Sequence, residues 1–329
     1  MKKNLMALAV AGTLVAPALA FAQASTVSIY GAMDASYERV QIDGGTASPS
    51  GPSNQYASRG RIASNSSLIG FRGSENLGGG LKAIFQVENQ LSIDGVGGNN
   101  TQTMANGWNV RDTFVGLEGG FGQLQVGYLN PPRRALAATY GLVPGATGDA
   151  GALNWFGRVN IGAAFSPLNV ATNTTSNTFG TAATGVGNLV STIARSQGVS
   201  YKTPTFNGFQ AHIHVTPNES RDNAPVGTGL AKRDPNLWNL GLNYAQGPAS
   251  LRVSYAKLND WTVQSASAAS LTALGLSGKE DTKQLLVGGA YIFGSTTTVA
   301  FIYDRTELSL GQSGLFAALG DLDVRRNAW

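Results

Sequence analysis

Apolar and polar residues alternate along this chain in short runs punctuated by glycine. The clearest run is 66–89. Ile69 and Phe71 share one parity, Gly70 and Arg72 the other. After Gly78-Gly79-Gly80, Ala83, Phe85 and Val87 share one parity, and Lys82, Gln86 and Glu88 the other. Successive side chains of a strand point to opposite faces, so this spacing predicts a β-hairpin with one oily and one charged face. The layout returns at 112–128 around Gly119-Gly120-Phe121-Gly122. A face carrying Arg, Lys and Glu does not suit a dry core. It suits a wall with water on one side and an apolar medium on the other.

Carried along the chain, the alternation predicts eleven strands. They are 27–38, the two strands of the 66–89 hairpin, 110–118, 123–128, 198–203, 209–215, 237–245, 249–257, 283–293 and 297–305. Tight glycine or proline turns alternate with long polar connections at 41–61, 91–109, 130–194, 217–236 and 259–282, the last with a helical turn within 267–276. Aromatics near the strand ends (Tyr37, Tyr128, Tyr201, Tyr244, Tyr255, Tyr291, Phe293 and Tyr303) fall on the apolar parity. Tight turns at one rim, long loops at the other and two aromatic girdles predict an all-β fold, a transmembrane antiparallel β-barrel. A water-soluble β-sandwich would not sort its loops so cleanly into two length classes.

Composition narrows the choice. Cysteine is absent, which excludes disulfides and thiolate metal sites. Residues 1–24 read as a secretory signal: Lys2 and Lys3, an apolar stretch from Leu5 to Val15, and Ala22-Gln23-Ala24 as the cleavage site before Ser25. Removing Lys2 and Lys3 turns 23 Lys+Arg against 19 Asp+Glu into 21 against 19, a net charge of +2. That balance does not suggest a nucleic-acid partner. After Ala24 no apolar run is long enough for a transmembrane helix, so strands are the route into a membrane.

The pattern also sorts the charged residues. Arg72, Lys82, Arg111, Lys202 and Arg252 fall on the polar parity, as do Asp34, Glu38, Glu88 and Asp304. They are the candidates for a pore lining that filters ions. From Gly119 to Asn218 the single acid is Asp149, whereas the long connection carries Arg133, Arg134 and Arg158, with Arg195 at its end. Enclosed charge of one sign concentrates counter-ions, so such a loop folded into a pore would favour anions. His212 and His214, the two histidines, share the polar face of one strand. Two ligands at that spacing do not make a metal site, and no Ser-His-Asp set is assignable by spacing, so neither a cofactor nor a catalytic residue is predicted.

Several blocks are more specific. Val27-Ser28-Ile29-Tyr30-Gly31 with Asp34, the stretch from Ile69 to Ala83, Arg111-Asp112-Thr113-Phe114-Val115-Gly116-Leu117, and Ser200-Tyr201 with Phe206-Asn207-Gly208-Phe209 resemble the general porins of Gram-negative bacteria, most closely the β-proteobacterial type. The resemblance implies a sixteen-stranded, water-filled barrel in the outer membrane, assembled as a homotrimer. It implies lipids and lipopolysaccharide around the barrel and small hydrophilic solutes and anions within it. It also implies that the long connection, about 129–195, folds inward and narrows the pore. Two departures stand out. Leu68 occupies a place where such porins often carry a basic residue. Eleven strands are counted against sixteen, and 325–329 resembles the start of a twelfth, so the barrel domain 25–329 is expected to be incomplete at its C-terminus, with unpaired edges. The alternatives are a substrate-specific channel and, from another class, an outer-membrane barrel enzyme or adhesin.

Overall fold

The computed structural model describes residues 26–42, 56–64, 67–91, 111–140, 158–159, 190–191, 195–218, 234–260, 276–295, 297–312 and 322–328. The signal sequence expected at 1–24 and the helical turn expected within 267–276 fall wholly or almost wholly outside them. The strands are β1 (Thr26–Ala32), β2 (Ala35–Ile42), β3 (Tyr56–Ser64), β4 (Leu68–Gly78), β5 (Leu81–Gln90), β6 (Thr113–Gly119), β7 (Gly122–Leu129), β8 (Arg158–Val159) and β9 (Val190–Ser191). They continue as β10 (Ser196–Lys202), β11 (Phe209–Thr216), β12 (Asn236–Gln246), β13 (Ala249–Asn259), β14 (Leu276–Phe293), β15 (Thr297–Gln312) and β16 (Leu322–Ala328). One helix, α1 (Pro132–Tyr140), follows β7.

Twelve of these strands form one antiparallel sheet in the order β1-β4-β5-β6-β7-β10-β11-β12-β13-β14-β15-β16. From β4 onward each strand of this sheet pairs with the next strand of the sheet along the chain, β8 and β9 pairing apart between β7 and β10, the topology of an up-and-down barrel wall. The predicted strands are present, 27–38 as two strands (β1 and β2) and not one, and several are longer than the alternation indicated. β14 begins at Leu276 and β15 runs to Gln312. The twelfth strand starts at Leu322 and pairs with β15 from Leu310↔Leu322 to Asp304↔Ala328, which corrects the expected start at 325. Among the described residues no ladder joins β16 to β1.

The tract at 41–61 is not a loop throughout. Its last residues belong to β3, which pairs with β2 and prolongs the β1–β4 hairpin beyond a break at Met33-Asp34. Ser67 spans that break: its hydroxyl donates to the Asp34 carbonyl (3.0 Å) and accepts from the Asp34 N–H (2.9 Å). A sequence rich in Ser and Gly still makes a ladder here because the backbone, not the side chains, supplies the bonds.

Burial is inverted relative to a soluble protein. The apolar parity is exposed: Ile29 at 71%, Val115 at 64% and Phe301 at 56%, with Val199, Ile213, Leu240, Leu242 and Leu251 alongside. The polar parity is buried: Ser200, His214, Asn239, Ser254, Thr282, Gln284, Asp304 and Thr306. Exposed apolar side chains on eleven of the twelve strands of a continuous sheet need a nonaqueous neighbour. On β14 the outward apolar row runs from Phe293 to Leu285, eight steps or about 27 Å along the strand. The apolar band of an outer-membrane barrel is about 25 Å tall. Beyond it the outward row turns charged, with Lys257, Lys283, Glu307 and Arg325 directly opposite one another on β13 to β16. Near the tight-turn rim, Phe209 packs on Tyr244 (4.7 Å between ring centroids) and Tyr291 on Phe293 (4.6 Å). Trp238, opposite Lys257 at the level of the charged row, packs on Tyr255 (5.6 Å) one outward step below it. These pairs are the two girdles.

Candidate functional site: the inner wall and the helix folded against it

The element that alternation did not reveal is α1. Its cues were present: Pro132 at the first helical position, then Arg-Arg-Ala-Leu-Ala-Ala, all strong helix formers, and Gly141 just past the end. The helix lies on the inner face of the sheet, touching β11 to β15. Leu136, Ala137 and Tyr140 bury themselves against Leu286 and Ile302. Glycines make the close approach possible. A Cβ on Gly241 would lie 2.6 Å from the Pro132 Cβ, and one on Gly288 would lie 2.6 Å from the Tyr140 ring. Polar groups fix the two ends. The Arg133 N–H donates to Asn239 Oδ1 (2.9 Å), an N-cap supplied by β12. At the other end Arg252 Nη1 donates to Thr139 Oγ1 (2.7 Å) and the Ala135 carbonyl (3.4 Å), where a cation suits the helix C-terminus. Arg252 therefore acts as a clamp on α1.

A second set of predicted residues meets on β1, β4 and β5. Glu88 is the hub. It accepts from Tyr30 Oη (2.7 Å), Gln86 Nε2 (3.1 Å) and Arg111 Nε (3.2 Å). Arg72 stands over the Tyr30 ring, its guanidinium carbon 5.1 Å from the centroid, a cation–π contact. Asp112 is bonded to Arg195. The charges of Arg111 and Arg195 both act on Arg134. The group thus holds four arginines (72, 111, 134 and 195) against two carboxylates (88 and 112). The crowding shows in their acidity. Burial, with Arg195 beside it, lowers Arg111 from the ordinary arginine range. Burial and Arg195 draw Arg134 down to about 9.

The other predicted residues are placed apart from that group. Lys82 is exposed beside the tight turn, opposite Glu118 on β6. Asp34 lies at the break after β1. Lys202 sits on β10 opposite His212 and Gln123. Arg158 is on β8, whose side chains lie outside the described residues. Arg133 is 1% exposed, packed beneath α1 and not open to the lumen; burial, with Arg134 next to it, draws it down to about 9. His212 and His214 belong to a buried hydroxyl network. Ser196 Oγ lies 2.8 Å from His214 Nε2, Ser200 Oγ 2.8 Å from His214 Nδ1 and 3.2 Å from His212 Nε2. Thr216 Oγ1 donates to Ser196 Oγ (3.0 Å). Among the described residues, no three His, Cys, Asp or Glu side chains converge as metal ligands would.

An antiparallel sheet with an apolar outer face, a polar and charged inner face, and a helix folded inward defines a membrane-spanning β-barrel protein. The family profile for Gram-negative porins matches residues 7–313, and the chain belongs to that family. It is 29% identical over 248 residues to the major outer membrane protein P.IB of Neisseria meningitidis serogroup B, covering 75% of this chain and 56% of that protein. To the P.IB protein of Neisseria sicca it is 31% identical over 246 residues, covering 74% and 55%. The chain thus spans about half the length of these curated relatives. In fold it is similar to an anion-selective porin from Comamonas acidovorans, with a TM-score of 0.57 at 22% identity, covering 92% of this chain and 72% of that one. The family and these relatives place the protein in the outer membrane, among porins and not among enzymes.

Proposed function

We propose that this protein lines a water-filled channel for the passive diffusion of small hydrophilic solutes and ions, with a preference for anions, and that it works as a homotrimer in a layer of outer-membrane lipid and lipopolysaccharide. One observation carries the anion preference: Arg72, Arg111, Arg134 and Arg195 gather around Glu88 and Asp112. Glu88 is bonded to Arg111 and Asp112 to Arg195, and the group holds two more arginines than carboxylates. Charge held in a low-dielectric wall acts further than charge in bulk water and raises the local concentration of counter-ions. The connection after β7, about 129–195, is the segment that narrows the channel, and α1 is its described anchor. Residues 1–24 are a signal peptide, and N-terminal sequencing of exported protein should return Ser25.

The test is the reversal potential of single channels in planar bilayers under a salt gradient. The wild-type protein should show anion preference. Replacing Arg72, Arg111 and Arg195 with Gln should move the reversal potential towards cations. Anion preference unchanged in the triple variant would show that the cluster does not set selectivity. Absence of any conductance from correctly folded protein would defeat the channel reading itself.

A further inference from the structure

At the C-terminal end of α1 the inner wall leaves a half-open cavity of about 180 Å³. Thr139 and Tyr140 of the helix roof it, the inner faces of β11, β12 and β13 make its floor, and the tight turn between β10 and β11 bounds it. Gln210 stands directly opposite Asn243 on the ladder, and Asn243 directly opposite Arg252. Residues so paired have Cβ atoms about 5 Å apart, so the three side chains form one row across the floor. Ser250 follows one inward step nearer the turn.

The polar groups of this floor are only partly used. Arg252 gives Nη1 to the Thr139 hydroxyl and the Ala135 carbonyl, and its Nε and Nη2 have no acceptor among the described residues. In the planar guanidinium Nε and Nη2 form one edge with two parallel N–H bonds, the fork that grips both oxygens of a carboxylate. The bond to Thr139 holds that plane in position before any ligand arrives. The Asn243 side chain has no hydrogen bond among the described residues. Gln210 uses Nε2 on the Thr203 carbonyl (3.2 Å) and leaves Oε1 over. Ser250 Oγ accepts from Tyr140 Oη and keeps its own hydrogen to donate. All four side chains are half-buried and not sealed, and no acid lines the cavity.

We infer that this cavity is a binding site for a small monocarboxylate that carries a hydroxyl group on a short apolar body. Its carboxylate lies on Nε and Nη2 of Arg252, its hydroxyl between Asn243 and Gln210 Oε1, and its carbon chain beside the Tyr140 ring. The single cation of the lining matches a single carboxylate. A cavity of about 150 Å³ holds benzene, so this one suits a body of about six to eight non-hydrogen atoms. Chloride would meet the guanidinium edge and leave the row of amides unused. The site is separate from the cluster of Arg72, Arg111, Arg134 and Arg195, at the other end of α1 and nearer the tight-turn rim. It presupposes that the inner face is the wetted channel wall proposed above.

The test uses the full chain folded in detergent, in chloride at constant ionic strength. Binding of 3-hydroxybutyrate is followed by saturation-transfer NMR and compared with its neutral amide, 3-hydroxybutyramide. The carboxylate should give a saturable signal, and the amide should bind roughly tenfold or more weakly, because it cannot make the charge-assisted fork. Asn243→Ala should weaken binding roughly five- to tenfold, the loss of one hydrogen bond. Asn243→Phe fills the cavity and should abolish the signal. Arg252→Gln keeps a donor for Thr139, removes the charge and should also abolish it. Equal binding of carboxylate and amide means the guanidinium does not select the ligand, and the inference fails. Undiminished binding in Asn243→Phe places the ligand elsewhere, and the inference fails again. Should Arg252→Gln not fold, the amide and Asn243→Phe still decide. Single-channel conductance is read separately: a conducting protein that binds no 3-hydroxybutyrate refutes this site alone, and a folded protein that binds it without conducting defeats the channel reading alone.

Discussion

Gly288 is the position where one added carbon should report on the inward-folded helix. It lies on the inner parity of β14, opposite Arg252 on β13 and Ile302 on β15. A Cβ there would stand 2.6 Å from Tyr140 Cδ2 and 2.9 Å from Leu136 Cδ2. Carbon pairs rest at about 3.5–4.0 Å, so Gly288→Ala is short by roughly 1 Å against two side chains at once. Neither gives way easily. Leu136 is packed on Leu286, the Tyr140 hydroxyl donates to Ser250 Oγ (3.2 Å), and Arg252 holds Thr139. The helix itself must move off the wall. Overpacking of this kind costs about 1–3 kcal/mol, which shifts the docked fraction roughly five- to over a hundredfold. A helix lifted from β14 moves towards the channel axis, so single-channel conductance should fall and its fluctuations rise. Gly289→Ala is the control. Its Cβ meets Phe301 on the outer face (2.8 Å), so it should lower stability without changing conductance. Conductance and melting of Gly288→Ala identical to wild type would refute the seating of α1 on this glycine.

Three further outcomes are expected. Glu88→Gln removes the carboxylate shared by Tyr30, Gln86 and Arg111; it should cost about 1–3 kcal/mol in denaturant unfolding and move the reversal potential further towards anions. Leu242→Arg puts a charge on the outward apolar row and should cost about 2–4 kcal/mol of folding into lipid vesicles, whereas Asn243→Arg on the inner parity should fold normally. Raising the pH through about 9 should discharge Arg133 and Arg134, and loss of the Arg134 charge from the cluster should weaken anion preference. Their values in place lie below that of an exposed arginine, so the docked helix binds protons less readily than a released one. Docking should therefore be weakest below about 9 and strengthen as the pH rises through it; an opposite trend in the thermal midpoint would contradict that sign.

Much of this architecture is local, which is why the sequence alone determined it. Strand parity is a period-two property of neighbouring residues, and an apolar medium outside with water inside leaves a distinct mark at each step: Val199 and Tyr201 outward, Ser200 and Lys202 inward. Tight turns are written in residues that accept unusual backbone angles, as Gly78, Gly79 and Gly80 do with φ of 91°, 59° and 81°. The charged candidates Arg72, Glu88 and Arg111 were legible for the same reason, as polar-parity residues. Their meeting was not, because Glu88 joins Tyr30 across 58 residues and Arg111 across 23. Only the tertiary structure decided the course of the connection after β7. A helix of nine residues is marginal by itself and is stabilised here by glycines on β12 and β14 and by Asn239 and Arg252, none of them near it in the chain. The same long-range packing separated two adjacent arginines that composition treats alike. Arg134 joins the cluster of Arg111 and Arg195, while Arg133, one residue away, is turned under the helix and buried without an acceptor. Consecutive residues on a helix point about 100° apart, and which direction meets wall and which meets water is settled by what the helix lies on.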